Sequence, residues 1–266
     1  MLVIGEKINS SIKGVEEAIL QRNESFFHDL AKCQMLAGAD YLEVNSGFRI
    51  YPEEEAEDVE WLVPLVQGAT ELPLCIDSPY PLVIQTALKH HKGVAIINSI
   101  NGESDRYGEI LPLAKQYGCG LIALTSDRGG IPSGVSGRLK IAERIANTVS
   151  NNGIPLKNLY FDPLVMPLSS DTKNGLLFLE TLKEIKRLFP EAKTISGLSN
   201  ISFGLPRRSL INQAFLILSI EAGLDAAILN PLDQRLMALI KSTEAILNKD
   251  PFCLKYIEAY REGRLV

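Results

Sequence analysis

The residues best able to do chemistry in this chain are carboxylates and carboxamides at the ends of short apolar runs. Asp77 ends the run LCID, Asn98 lies in AIINSI, and Asp162 ends LYFD just before Pro163. Ser199 and Asn200 close TISGLSN. Glu6 and Asn9 follow LVIG, and Glu43 and Asn45 sit in YLEVNSG. Thr125 and Ser126 close LIALTS, and Asn230 closes AAILN. Gathered in one pocket, Asp77, Asn98, Asp162 and Asn200 would present two carboxylates and two carboxamides. Carboxylates accept from amino and ring N–H groups, and carboxamides both donate and accept. Such a set suits a flat, polar, uncharged heterocycle. A phosphate would want lysines, arginines or a glycine-rich loop instead. Each residue alone has a plainer explanation, because Asn and Asp form turns and Asp-Pro is a common turn signal. The inference rests on the set.

No directly bound metal is expected. His28, His90 and His91 lack ligand spacing, and Cys33, Cys75, Cys119 and Cys253 form no CxxC pair. The simpler reading makes the thiols buried and reduced, as in a cytosolic protein. His90 and His91 then end a helix, where a cation suits the dipole.

The elements that must position the polar set repeat along the chain. Eight short apolar runs, LVIG, YLEVNSG, LCIDS, AIINSI, LIALTS, LYFDPL, TISGLSN and AAILNP, read as buried parallel strands. Between them lie amphipathic stretches with apolar residues at i, i+3 and i+4, such as ESFFHDLAKCQMLAG and SLINQAFLILSIEAG. Gly38, Gly118, Gly153 and Gly223 fall where helices should stop. SSIKGVEEAILQRN reads as an extra short helix, and FCLKYIEAYREG as a last helix packed outside. Eight strand–helix units predict an α/β fold, a single (β/α)8 TIM barrel over residues 1–266. No GxGxxG fingerprint follows the first run, which argues against a dinucleotide fold. In a barrel, the C-terminal ends of all strands converge on one mouth, where such enzymes keep their active sites.

Bulk properties agree. The 266 residues match one barrel, and a net charge of −5 without a Lys/Arg cluster gives no reason to expect nucleic-acid binding. The start, MLVIGEKINS, reads as a strand and not as a signal peptide. No apolar stretch is long enough to span a bilayer, so the expected location is cytoplasmic. Glu53, Glu54 and Glu55 are expected in a solvated loop that leads into a helix.

The segments IGEKIN, YLEVNSG, LCIDS, INSIN, LYFDPLVMP, GLSNISFGLPRRSLIN and GLDAAI, in that order, carry a family likeness. The chain resembles the pterin-binding methyltransferases, particularly the methyltetrahydrofolate:corrinoid protein methyltransferases. The resemblance implies that Asp77, Asn98 and Asp162 hold the pterin ring and that Asn200 addresses N5, the atom carrying the methyl group. It places Ser199, Glu6 and Asn9 at the same substrate site and Arg208 in the loop after the seventh strand, with Arg207 a rival for the role. Phe203 stands where some corrinoid methyltransferases carry glutamine. The implied substrates are tetrahydrofolate or 5-methyltetrahydrofolate and a cobalamin-type corrinoid carried by a separate protein. A homodimer is implied as well. Two competing readings are a dihydropteroate synthase-like enzyme and a non-catalytic folate-binding barrel. The first usually has Ser-Arg-Lys where this chain has Ser199-Asn200-Ile201.

Overall fold

The computed structural model describes residues 1–103 and 107–265. Eight strands form a closed barrel in chain order: β1 (Leu2–Asn9), β2 (Tyr41–Asn45), β3 (Leu74–Asp77), β4 (Ile96–Ile100), β5 (Gly120–Leu124), β6 (Leu159–Asp162), β7 (Lys193–Gly197) and β8 (Ala226–Leu229). All eight pairings are parallel, with β8 closing on β1. The chain is a (β/α)8 barrel, as its alternating apolar runs predict.

The helices are α1 (Val15–Leu20), α2 (Glu24–Leu36), α3 (Pro52–Thr70), α4 (Pro81–His90), α5 (Tyr107–Tyr117), α6 (Val135–Asn151), α7 (Asn174–Leu188), α8 (Arg208–Glu221), α9 (Gln234–Ile246) and α10 (Leu254–Arg261). Local chemistry sets several ends. The Asn23 side chain accepts from Phe26 N–H and that of Asp233 from Leu236 N–H, capping α2 and α9. Gly38, Gly118, Gly153 and Gly223 each have positive φ at or just past a helix C-terminus. The tail helix α10 packs on α9 but buries only Ala259.

Strand alternation divides the core. Outward residues such as Leu42, Leu74, Ile97 and Leu121 pack under the helices. Inward residues Ile4, Cys75, Ile96, Ile122, Tyr160, Ile195 and Ala226 fill the barrel interior. Side chains two positions further along a strand share its face. Glu6, Asp77, Asn98 and Asp162 therefore stand above Ile4, Cys75, Ile96 and Tyr160 on the inner wall.

Three expectations need correction. Glu53, Glu54 and Glu55 form the first turn of α3, not a loop, and Glu55 is only 1% exposed. Acidic residues favour a helix N-terminus, and Glu55 falls in phase with the apolar stripe Val59, Leu62, Val63 and Val66. Cys33 and Cys253 are exposed, while Cys75 and Cys119 are buried thiols. Glu6 and Asn9 lie on β1 itself, which is longer than its apolar run.

Candidate functional site

The mouth is built by the last inward residues of the strands. On β1 the register slips between Gly5 and Ile8, so three steps along β1 match two along β2. This bulge changes the parity of the strand. Glu6 continues the inward face of Ile4, whereas Ile8 packs outward and Asn9 comes level with Asn45. Asn9 Nδ2 can then donate to Glu43 Oε2 at 3.1 Å.

From β1 to β4 the wall is a chain of amides and acids. Ser10 Oγ donates to Asn45 Oδ1 at 3.0 Å, and Asn45 Nδ2 donates to Asp77 Oδ2 at 3.0 Å. Asp77 and Asn98 face each other across the β3–β4 ladder. Burial pushes the Asp77 carboxyl up to about 6, against the opposing hydrogen bond from Asn45. Glu43, deeper and 4% exposed, is raised well above the usual range by burial and then by the charge of Asp77. Burial also raises Glu6, countered by Lys7, Arg208 and a hydrogen bond to Ser199.

Across the mouth, Asp162 ends β6 and is buried. Its Oδ1 accepts from Leu164 N–H at 2.7 Å. Burial lifts its carboxyl to about 7, opposed by that bond and by Arg138. Arg138, on α6, is itself only 2% exposed. It donates to the carbonyls of Pro132, Pro163 and Leu164 at 3.0, 2.6 and 3.0 Å, tying together the loops after β5 and β6. Leu164 is held at φ +65 beside it.

Ser199 and Asn200 do not extend β7; they lie in a 3-10 turn, Leu198–Ser202, directly after it. The Asn200 side chain is exposed and has no hydrogen bond to another described residue. Arg208 is not a loop residue but the first of α8. Its guanidinium donates to the Ser199 carbonyl at 2.6 Å and to Ser202 Oγ at 3.0 Å, and stacks 5.9 Å from the exposed Phe203 ring. Arg208 thus braces the turn that carries Asn200. Arg207 is the exposed left-handed residue before the helix.

The remaining strand-end polar residues are bonded within the protein, two between neighbouring strand ends and one in a turn. Thr125 Oγ1 donates to the Asp162 carbonyl, the Ser126 carbonyl accepts from Gly102 N–H, and Asn230 Oδ1 accepts from Leu232 N–H. Among the described residues, no cluster of His, Cys, Asp and Glu could hold a metal ion. Arg138 went unnoticed in the sequence, although its phase with Ile141, Ala142, Ile145 and Val149 was a readable signal of burial.

Polar groups with unspent hydrogen-bonding capacity, ringed around the C-terminal mouth of a (β/α)8 barrel, define an enzyme that binds a small polar molecule. The chain belongs to the family described as pterin binding enzyme, whose pattern matches residues 17–230. It is 37% identical to the methylcorrinoid:tetrahydrofolate methyltransferase of Eubacterium limosum over 267 aligned positions, covering 100% of this chain and 98% of that protein. It is 31% identical to the methionine synthase of Mycobacterium tuberculosis and 30% identical to that of Mycobacterium leprae. Those alignments cover 86% of this chain but only 20% of each synthase, so the chain spans about a fifth of their length.

Proposed function

We propose that this chain transfers a methyl group between N5 of tetrahydrofolate and the cobalt of a corrinoid carried by a separate protein. The observation that carries this reading is the end-to-end likeness to a methyltransferase whose printed name pairs these two reactants. That name puts the methylcorrinoid first, which favours tetrahydrofolate as the methyl acceptor here as well. The single barrel, residues 1–266, would act as one pterin-binding domain.

In the proposed mechanism, Asp162, Asp77 and Asn98 hold the amino, ring N–H and carbonyl edges of the pterin. Glu6, Asn9 and Ser199 complete its surround. Asn200, with its amide uncommitted, addresses N5. A methyl group on a tertiary amine is a poor electrophile, because the departing nitrogen would carry negative charge. As the reduced corrinoid would take the methyl group, the electron pair of the N5–methyl bond stays on N5; a hydrogen bond from Asn200 that strengthens as this charge develops lowers the barrier, and a proton from solvent makes the departing amine neutral. In the opposite direction the N5 lone pair, oriented by Asn200, would attack the methyl group, the methyl–corrinoid bond would break with its electron pair left on the corrinoid, and the N5 proton would pass to solvent. Arg208 supports Asn200 through the Ser199 carbonyl.

The reading includes a homodimer and a cytoplasmic location. Leu176, Leu210 and Leu218 stand exposed along α7 and α8 and are compatible with an interface. Among the described residues, no helix is long and apolar enough to cross a membrane. The test is single-turnover transfer between tetrahydrofolate and methylcobalamin, followed by cobalt absorbance, with folate binding titrated separately. Binding without transfer in either direction would favour a folate-binding barrel. Light scattering at micromolar concentration checks the dimer.

A further inference from the structure

Glu43 is the most enclosed acid of the mouth, and the mechanism above gives it no task. It stands opposite Cys75 in the β2–β3 ladder, directly above the apolar interior. Asn9 Nδ2 donates to one of its oxygens. The ionisable groups that face it are Glu6 from β1 and Cys75 and Asp77 from β3, all of them acids. Lys7 and Arg208, on the same side of the mouth, act on Glu6. No ion pair joins Glu43 to a cation among the described residues.

Three carboxyl groups on neighbouring strands of an apolar-walled barrel cannot all ionise in the neutral range. The Asp77 anion has a direct donor in Asn45. Glu43 lies deeper, and any charge on it would meet the charge of Asp77. Resting on the folate reading, we propose that Glu43 is a positioning residue that holds a proton through neutral pH, so that Asp77 stands ionised toward the bound pterin. Paired acids whose surroundings separate them divide the roles of neutral and charged group. The directions agree: Glu43 is raised well above its usual range and Asp77 only to about 6. A bound pterin removes water from both groups, so binding favours the protonated Glu43. Folate affinity then falls as alkaline pH strips that proton.

Two measurements on the full chain test this. Infrared titration without folate should show a neutral carboxyl C=O band persisting through neutral pH, well above the usual Glu value. Glu43→Gln should lose that band component, and Glu55→Gln, which removes a buried acid on α3, should keep it. A wild-type spectrum with no neutral carboxyl at that pH overturns the proposal without need of any variant. So does an unchanged spectrum in a folded Glu43→Gln protein. The second measurement is 5-methyltetrahydrofolate binding across the alkaline range. Wild-type affinity should fall several-fold, and Glu43→Gln should flatten the fall. The same alkaline limb in both proteins overturns the positioning role. Failure of the wild type to bind folate at any pH overturns the folate reading and this role with it, while the infrared result stands on its own.

Discussion

The two ends of the barrel use similar residues for opposite purposes. At the N-terminal end, Asp40 Oδ2 accepts from Val3 N–H at 2.7 Å, and His91 Nε2 accepts from Leu74 N–H at 3.0 Å. Asp225 Oδ2 takes Thr194 N–H at 2.9 Å and Lys186 Nζ at 2.8 Å. Gln67 bonds the Leu72 and Lys92 carbonyls and Lys92 N–H. These side chains pin the starts of strands. At the C-terminal end, Asn98 and Asn200 make no side-chain hydrogen bond to other described residues, and Asp77 receives one only from Asn45. Buried polar groups are normally satisfied within the protein. Capacity left over around the mouth is where an outside molecule could complete the bonding, as the proposed function requires.

Four measurements on three variants test the division between the two ends. The largest effect is expected for Asn200→Ala, which should slow single-turnover methyl transfer by roughly 10²–10³ at saturating folate while changing affinity much less. A full transfer rate would reduce Asn200 to a turn residue. Asp162→Asn should cost about 1.5–3 kcal/mol of folate affinity, since it removes a charged acceptor for ring N–H groups. Titration calorimetry reads this directly, and affinity equal to wild type would place Asp162 outside the contact set.

At the opposite end, Asp225→Ala should cost about 1–3 kcal/mol of folding stability in urea, because Thr194 N–H loses its acceptor. Folate affinity should stay within about twofold, and a larger loss would erase the division between the ends. The smallest effect is again at Asp162, now without ligand. Its carboxyl rises from the usual 3.8 to about 7 on folding. Between those values the folded chain keeps a proton that the unfolded chain has lost, so this group's contribution makes stability fall as pH rises through the window. Asp162→Asn should therefore stabilise the free protein above pH 7 relative to its effect at acid pH. The melting temperatures of both proteins at acid and alkaline pH should converge at low pH, and parallel curves would reject the idea.

Much of this was legible in the sequence, for identifiable reasons. Strand alternation fixed which residues share an inner wall, so Asp77, Asn98 and Asp162 could be located from spacing alone. Glycines that need positive φ marked helix ends. The less legible features depend on contacts distant in sequence. Ser199 and Asn200 looked like a strand end because a short 3-10 turn has no apolar period of its own. The resemblance places Arg208 at the substrate site, and the structure engages two of its donors six and nine residues back, on Ser202 and Ser199. Glu55 is expected in a solvated loop, and Arg138 draws no expectation within its amphipathic stretch. Their phase relative to the apolar stripe said otherwise: a charge in register with the stripe is a charge carried inside.

The slip between Gly5 and Ile8 gives the molecule a second way to change. A substitution alters one side chain in place. The slip counts residues, and it lies above the apolar layer that contains Ile4. Removing one residue there would restore the plain pleat and still leave Ile8 level with Val44 and Asn9 level with Asn45. A one-residue change in length would thus be absorbed inside β1, between an apolar floor and a polar rim that both keep their partners.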